Sequence, residues 1–219
     1  MKKILWTVVI SLFMVSTGYC QDQSLQLTIK PDKQTYEVGE KVKFTITFKN
    51  NSFQDLRFYF ANAEGSGWMG LAFADFLTVK NQKGEDCDYW YYYGPKIDFF
   101  GPMSEKENYY FLKPNEEKSF IVSAGLSKRK TTCHRHESYP SSKECEGIFL
   151  DIGWYNLFLG AEGHYNISLR YPAEKIKEDF HKAVEPNTPM FWGYDDVFLQ
   201  SVTSDVVVIE IVEKNKGKI

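Results

Sequence analysis

The side chains best suited to chemistry stand close together between positions 133 and 145. His134 and His136 lie two residues apart beside Cys133. On an extended segment the two imidazoles share a face, and with a third ligand they could hold zinc or copper. The alternative is a solvated polar loop tied by a disulfide between Cys133 and Cys145, and we favour this interpretation. We therefore expect neither a metal nor a cofactor.

The cysteine count supports a disulfide without fixing its pairing. One of the four cysteines, Cys20, lies at the end of a predicted export signal, which leaves Cys87, Cys133 and Cys145. Exported chains form disulfides readily, and closing the 133–145 loop would contribute on the order of 2–3 kcal/mol in the chain-entropy model. Cys87 is then either a buried thiol or the true partner of one of the other two.

The sequence contains no H-E-x-x-H, G-x-S-x-G, Walker or dinucleotide-binding motif. A cysteine nucleophile beside a histidine is disfavoured because exported cysteines are usually bridged. Asp195 and Asp196 with Asp98 or Asp205 could bind calcium, but the EF-hand spacing is missing and a solvated acidic turn explains them. No pair of carboxylates is singled out for glycoside hydrolysis. We predict that the protein is not an enzyme.

Clusters of aromatic residues are the most unusual feature of a chain that is 16% aromatic. Tyr and Trp combine a large apolar area with a polar group, which suits recognition of a protein or a carbohydrate. The alternative places these rings at the edges of the core and under a helix. The candidate binding residues are Trp68, Trp90, Tyr92, Trp192 and Tyr194.

The N-terminus has the layout of a bacterial signal peptide. Lys2 and Lys3 precede an apolar run over 4–15, and cleavage after Cys20 would leave Gln21 as the first residue. We expect a periplasmic or secreted protein. A rival interpretation makes Cys20 the lipid-bearing residue of an outer-membrane lipoprotein, although the preceding Tyr19 is bulky for such a site.

Charge and hydropathy narrow the range of partners. The net charge is −3 with no basic patch, which argues against a nucleic acid. No second long apolar run follows the signal, so we expect no transmembrane span. The partner would be a protein or a carbohydrate.

Strict alternation over 42–48 predicts a strand with one buried and one exposed face. Similar patterns separated by turns predict about eight strands, and Pro172 to Val184 predicts one short helix. We therefore expect an all-β fold: an antiparallel immunoglobulin-like β-sandwich with long loops, forming a single domain over 21–219.

Four local interpretations complete the predicted topology. The segment 127–147 is predicted as a polar loop, and Cys87 to Tyr93 as a strand that pairs back on the strand before it. Residues 148–159 are predicted as either a strand or a short helix. The strand Val206 to Val212 is apolar on both faces, which predicts a central position in its sheet.

Several turns resemble those of exported Ig-like domains. Tyr36-Glu37-Val38-Gly39-Glu40, followed by Asn50 and Ser52, resembles the "Y-x-x-G-E…N-x-S" opening of such modules. The hairpin over 75–84 is similar to that of the BsuPI-type proteinase-inhibitor domain. Leu112-Lys113-Pro114-Asn115-Glu116 and Gly163-His164-Tyr165 resemble turns shared with the Ig-like domain of lysine-specific metalloendopeptidases. Asn115 stands where this pattern has glycine.

The resemblance covers about half of the mature chain and implies an Ig-like fold, with Tyr165 as a corner tyrosine. It also implies a second function, in which the loop closed by Cys133 and Cys145 enters a protease cleft. Our first hypothesis remains a non-catalytic binding module that acts through the aromatic loops. A third is a hydrolase with a carboxylate or metal site.

Overall fold

The computed structural model of the chain describes residues 24–60, 76–91, 108–134, 142–152, 155–171, 173, 174, 176 and 197–214. Most of these residues lie in β-strands, and the fold is all-β. Ala173, Glu174 and Ile176 have helical backbone, at the start of the helix predicted over 172–184, whose other residues lie outside the described ranges.

Twelve strands occur within the described residues. In chain order they are β1 (Leu25–Pro31), β2 (Thr35–Glu37), β3 (Lys41–Asn50), β4 (Leu56–Tyr59), β5 (Leu77–Asn81), β6 (Asp88–Tyr91), β7 (Tyr109–Leu112), β8 (Glu117–His134), β9 (Ser142–Ile152), β10 (Tyr155–Gly160), β11 (Gly163–Leu169) and β12 (Val207–Val212).

The strands form three sheets. The largest has the order β1-β3-β8-β6-β10-β9, with an additional β8–β9 pairing; the second has the order β2-β12-β11-β5; the third is the pair β4-β7. All pairings between these strands are antiparallel except β2 with β12. β12 lies between β2 and β11, which confirms its predicted central position, although Val208 on its outer face is exposed.

The strand β3 has the alternation that its sequence predicts. Val42, Phe44, Ile46 and Phe48 are fully buried, and the residues between them face outward or lie half-buried. β3 pairs with β1 on one edge and with β8 on the other, so its inner face lies at the centre of the largest sheet.

The first two sheets contribute to one hydrophobic core. Inward residues alternate along each strand, as the period of two requires. From the largest sheet they are Leu25, Leu27, Ile29, Val42, Phe44, Ile46, Phe48, Phe120, Val122, Ala124, Leu126, Ile148, Leu150, Ile152, Leu157 and Leu159; from the second sheet they are Tyr36, Leu77, Val79, Tyr165, Ile167, Leu169, Ile209 and Ile211.

The prediction of a polar loop over 127–147 is wrong for 127–134 and 142–147, and the residues between them lie outside the described ranges. β8 continues to His134, the chain returns as β9, and the two strands pair from Gly125↔Asp151 to His134↔Ser142. Both faces of this part of β8 carry mostly polar residues, so the apolar alternation that identifies a half-buried strand is missing. The exposure of the side chains still alternates along this part of β8: Ser127, Arg129 and Thr131 are half-buried, and the residues between them are exposed.

Asp88–Tyr91 is a strand, as predicted for Cys87 to Tyr93, but the predicted pairing of this strand with the one before it is wrong, and residues 92 and 93 lie outside the described ranges. Only Asp86 and Cys87 pair back on β5, through the Lys80↔Asp86 bridge and the bond from the Cys87 N–H to the Val79 carbonyl. The strand β6 then joins the largest sheet, where it pairs with β10 and, at one position, with β8. Residues 148–159, predicted as a strand or a helix, belong to β9 and β10.

Two of the turns that resemble those of exported Ig-like domains, the turns that end at Glu40 and at Glu116, share one hydrogen-bonding pattern. Glu40 donates its N–H to the Glu37 carbonyl, and its carboxylate accepts the Glu37 N–H at 2.7 Å. Glu116 does the same with Lys113, with a carboxylate contact of 2.8 Å. In both turns the residue before the glutamate has positive φ, 98° at Gly39 and 65° at Asn115. The acidic residue of each motif therefore closes its own turn.

The remaining motif residues are also structural. The buried Asn50 donates to the carbonyls of Gln54 and Leu112, and its Oδ1 accepts from Ser52. The Tyr165 hydroxyl donates to backbone carbonyls at Leu159 and Ala161, 3.0 and 2.5 Å away. These bonds tie Tyr165 of β11 to the end of β10 and the turn after it, and burial raises the pKa of Tyr165 to about 12.

Candidate functional site

Most of the predicted binding residues lie outside the described ranges. These are Trp68, Tyr92, Trp192 and Tyr194. Trp90 lies in β6 at the position opposite Asn156 of β10, and its backbone alone is described. The structure therefore describes the candidate site through the residues at the ends of the segments that carry these predicted binding residues.

Four aromatic rings connect the described residues at both ends of two aromatic segments, the segment that carries Trp68 and the segment that carries Trp192 and Tyr194. Phe60 precedes and Phe76 follows the segment 61–75, and their ring centroids are 5.2 Å apart. Phe76 contacts Tyr171 at 5.5 Å, and Tyr171 contacts Phe198 at 5.6 Å. Tyr171 and Phe198 lie on either side of the segment that carries Trp192 and Tyr194. We call these four buried rings the aromatic hub: Phe60, Phe76, Tyr171 and Phe198.

Backbone hydrogen bonds hold the hub residues in place. The Phe60 N–H donates to the Asn108 carbonyl at 2.8 Å, which brings the end of the segment 92–107 to the same place. The Phe198 N–H donates to the Arg57 carbonyl at 2.7 Å. The Tyr171 hydroxyl accepts the Tyr59 N–H at 3.0 Å, and burial raises the pKa of Tyr171.

The pair β4–β7 adds an aromatic surface beside the hub. Arg57 lies opposite Phe111, with its guanidinium 5.7 Å from the centre of that ring, and Tyr59 lies opposite Tyr109, with ring centroids 5.3 Å apart. Because paired residues share a face, all four side chains belong to the same side of the two-stranded sheet. Phe111 is exposed there, while Tyr59 is buried.

A polar network lies on the other part of the largest sheet. The Arg129 guanidinium forms a two-pronged ion pair with Asp151, with both N–O distances 2.8 Å, and donates to the Asn156 side chain at 2.7 Å. Ser127 donates to the same carboxylate at 2.6 Å and is in hydrogen-bond contact with Arg129. The Arg129 network, defined as these four residues, joins β8, β9 and β10.

The network covers a small second core. Arg129 reaches along the sheet over Phe149, with its guanidinium 4.3 Å from the ring centre, and Phe149 packs on Phe158 at 5.1 Å. Phe149 and Cys145 are buried and form a cluster separate from the main core. Arg129 and Asp151 remain 31% and 29% exposed, so their ion pair is shielded but not dry.

Strand register relates this network to Trp90. Trp90 is opposite Asn156, and Asn156 is opposite Asp151, so the three positions form one row on one face of the sheet. In addition, Tyr91 pairs with His134, so β8, β9, β10 and β6 close into a ring. The Arg129 network and the predicted binding residue Trp90 are thus neighbours in register.

A glycine permits the close approach of β9 to the end of β10. A Cβ at Gly147 would lie 2.1 Å from the Gly160 carbonyl oxygen, and the backbone φ there is +155°. The register shifts between Phe158 and Gly160 at this point. A side chain at Gly147 would force the two strands apart.

The structure places the predicted disulfide partners on paired strands. Cys133 is opposite Lys143, and Cys145 is opposite Thr131. Such diagonal positions are about 7–8 Å apart in an ideal sheet, somewhat beyond the usual Cα separation of a disulfide. The described side chains include no disulfide, and that of Cys133 is not among them. The Cys133–Cys145 bridge stays a prediction.

The sequence analysis missed the Arg129 network. Its members are ordinary polar residues in the segment predicted as a loop and in the aromatic stretch after it. The available signal was the spacing of Ser127 and Arg129, two residues apart, and of Asp151 before Asn156. That spacing gains meaning only once the register of β8, β9 and β10 is known.

Comparison with known proteins gives no family assignment. No protein-family model matches the chain, and no curated protein is significantly similar to it. Among the residues that the structure describes, none forms a helix long and apolar enough to cross a membrane.

Proposed function

We propose that this protein is an exported, non-catalytic binding module built on an immunoglobulin-like β-sandwich. It recognises a protein or a carbohydrate through its aromatic segments. Two sheets that share one core and the corner hydrogen bonds of Tyr165 support the Ig-like assignment. The signal-like N-terminus supports export to the periplasm or beyond.

The observation that carries the proposal is the aromatic hub. The hub joins the two ends of the segment that holds Trp68 to the two ends of the segment that holds Trp192 and Tyr194. A rigid scaffold that presents several loops from one place is the usual arrangement of a binding site. Tyr and Trp in those segments supply contact area at low cost in side-chain entropy.

A pull-down with the mature chain from Gln21 onward tests this proposal. We expect the wild-type protein to capture a partner from an extract of the native organism, or a glycan from an array. The variant carrying Trp90→Ala and Trp192→Ala should lose that partner while keeping its unfolding transition. Ile121→Ala, which removes an exposed side chain in the middle of β8, is the matched control and should retain the partner. Equal capture by all three proteins would reject the aromatic segments as the binding site.

A second candidate function is inhibition of a proteinase. It is favoured by the β8–β9 hairpin, whose pairing extends to His134↔Ser142 and therefore holds the connection 135–141 at both ends. A loop that is ordered before binding loses less entropy on entering a protease cleft. A Cys133–Cys145 disulfide would add to this constraint.

Protease assays separate the two candidates. We expect an inhibitor to block at least one member of a panel of serine and metalloproteases at micromolar protein, and to lose this effect when 135–141 is replaced by a short Gly-Ser linker. A panel left uninhibited by the wild-type chain would reject the inhibitor and leave the binding module as the favoured candidate.

A further inference from the structure

Four positions on neighbouring strands form a row across one face of the largest sheet. Gly125 of β8 pairs with Asp151 of β9, Asp151 pairs with Asn156 of β10, and Asn156 pairs with Trp90 of β6. Paired residues share a face. The residues next to the row along β8, β9 and β10 are buried in the main core, namely Leu126, Leu150, Ile152 and Leu157. The row, which we call the Asp151 row, therefore lies on the face of the sheet away from that core.

Gly125 leaves space beside Asp151. Among the described residues, and apart from the chain neighbours of Gly125, a Cβ placed there would meet only the Asp151 Cβ at 3.8 Å, which is ordinary contact. Gly125 is not one of the residues with positive φ, so its backbone does not require glycine. A glycine inside a strand often marks a place where a ligand approaches the backbone closely.

Asp151 and Asn156 present complementary hydrogen-bonding groups next to this space. The Asn156 Oδ1 accepts from Arg129, which turns the amide nitrogen to the other side of the group. That nitrogen has no acceptor among the residues that the structure describes. The Asp151 Oδ1 accepts from Arg129 and has capacity for a second hydrogen bond. A donor and an acceptor thus lie side by side on two paired strands, and both side chains are half-buried.

Arg129 fixes the geometry and the charge of this pair. Its guanidinium bonds both oxygens of Asp151 at 2.8 Å and lies 4.3 Å from the centre of the Phe149 ring. The two side chains are therefore oriented before a ligand arrives, which lowers the entropic cost of binding. Because Arg129 already neutralises the carboxylate, Asp151 is suited to accept hydrogen bonds from hydroxyl groups rather than to bind a cation.

We propose that the Asp151 row binds a carbohydrate beside Gly125. A sugar hydroxyl both donates and accepts, so neighbouring hydroxyls can bond the Asp151 carboxylate and the Asn156 amide together. Trp90 occupies the next position of the row, and an aromatic residue beside polar groups suits the mixed surface of a sugar.

The same row is less suited to a protein partner. Its described side chains, Asp151 and Asn156, include no exposed apolar group of the kind that dominates binding at protein interfaces. The inference rests on the proposed function, since it names the ligand class of that binding module.

A glycan array followed by calorimetry tests the proposal. The mature chain from Gln21 onward is applied to an array of defined oligosaccharides, and the most strongly bound oligosaccharide is titrated. Gly125→Leu fills the space beside Asp151, and we expect it to raise the Kd at least about tenfold. Gly125→Ala adds only the Cβ that this space accommodates and should change the Kd less than about threefold.

Thr45→Leu is the matched control. Thr45 is exposed on β3 and lies four residues from Lys41, the residue opposite Gly125. The added side chain should leave the Kd and the unfolding transition unchanged.

Asn156 provides a second measurement that does not depend on filling the space. Asn156→Ala removes the amide donor and should raise the Kd about two- to tenfold. In the wild-type chain, the side-chain amide signals of Asn156 should shift in the nitrogen–proton NMR spectrum when the oligosaccharide is added.

Several results would overturn the proposal. They are a wild-type chain that binds no oligosaccharide, Gly125→Leu binding as tightly as the wild type, Thr45→Leu weakening the complex as much as Gly125→Leu, and Asn156 amide signals that do not move.

The pull-down distinguishes this failure from that of the proposed function. A protein captured by the wild-type chain and lost by the variant with Trp90→Ala and Trp192→Ala, with no oligosaccharide bound, would overturn the carbohydrate site and leave the binding module standing. Capture of no partner together with an empty array would overturn both proposals.

Discussion

The two halves of β8 are stabilised in different ways. Residues 117–125 pair with β3, and their inward side chains, Phe120, Val122 and Ala124, are buried in the main core. From Gly125 onward the strand pairs with β9, and after the buried Leu126 its half-buried face carries Ser127, Arg129 and Thr131. One continuous strand thus passes from a hydrophobic core to a polar hairpin.

The difference shows which interactions extend a strand beyond its core. In the first half, side-chain burial on one face is sufficient to fix the register, because a slip of one residue would expose every apolar side chain. In the second half, backbone pairing and directional contacts of Arg129 take over that role. The hairpin should therefore depend on a few specific residues, whereas the first half depends on packing volume.

The largest expected effect comes from the packing under the first half. Phe48 is fully buried, stacked on Phe58 at 4.3 Å, and near Phe120 at 5.9 Å. Phe48→Ala removes a ring from a closely packed cluster, and we expect the free energy of unfolding to fall by about 3–5 kcal/mol. Urea denaturation followed by circular dichroism measures it.

A variant on the outer face provides the control for that experiment. Ile121 lies opposite Thr45 on the solvent side of the same two strands and is 63% exposed. Ile121→Ala should change the free energy of unfolding by no more than about 0.5 kcal/mol. A comparable fall in the free energy of unfolding in Phe48→Ala and Ile121→Ala would mean that side-chain burial does not stabilise the first half of β8.

The second expected effect concerns the Arg129 network. Arg129→Met keeps an apolar stem over Phe149 but removes the bonds to Asp151 and Asn156 and leaves the carboxylate without its cation. Hydrogen bonds to charged groups contribute more to stability than hydrogen bonds between neutral groups. We therefore expect the free energy of unfolding to fall by about 1–3 kcal/mol. Hydrogen exchange should increase at the amides of β9 more than at those of β3.

The neighbouring residue supplies a matched control for this variant. Lys130 pairs with Glu144 at 3.2 Å, but the two side chains are 61% and 75% exposed. Exposed ion pairs contribute little, so Lys130→Met should change stability by about 0.5 kcal/mol or less. Equal losses in Arg129→Met and Lys130→Met would show that general charge on the hairpin, rather than the Arg129 network, holds it.

The same contrast explains how much of the fold could be read from the sequence. The first half of β8, β3 and β11 were predictable because apolar residues alternate with polar ones. The second half was not, because Lys128, Arg129 and Lys130 give no apolar period and the residues opposite them in β9 lie 16 to 20 positions away in sequence. The crossing of β6 to the largest sheet at Cys87 likewise depends on tertiary pairing.

The candidate site was predictable only in its residue types. Aromatic clusters indicated where contact area was available, but not that Phe60, Phe76, Tyr171 and Phe198 meet in one hub. That meeting depends on how distant strands pack. The turns were easier, because in each a residue with positive φ is followed by a glutamate that bonds back three residues.

The turn before β8 allows a smaller test of the first half. Asn115 has a φ of 65°, a conformation that costs an ordinary L-residue roughly 1–2 kcal/mol but is tolerated by Asn. Asn115→Ala should therefore lower stability by about 1 kcal/mol, while Asn115→Gly should change it by less. A thermal unfolding series compares them. If Ala and Gly behave alike, backbone strain does not govern this turn.

The smallest expected effect is the response of the turn before β3 to acid. The hydrogen bond from Tyr36 lowers the pKa of Asp32 below its ordinary value of 3.8, and that from Lys33 lowers the pKa of Glu40 below 4.5. A carboxyl group whose pKa is lower in the folded state contributes stability when the pH is above its unfolded pKa, and this contribution is lost as the pH falls through the folded pKa.

The turn holds Leu126, since the Leu126 N–H donates to the Glu40 carbonyl and the Leu126 carbonyl accepts the Gly39 N–H. We therefore expect stability to decline as the pH falls below about 4.5, and the decline to be shallower in a variant with Asp32→Asn and Glu40→Gln. Tyr36→Phe should reduce the contribution of Asp32 and leave that of Glu40. An acid response unchanged in the double variant would place its origin elsewhere in the molecule.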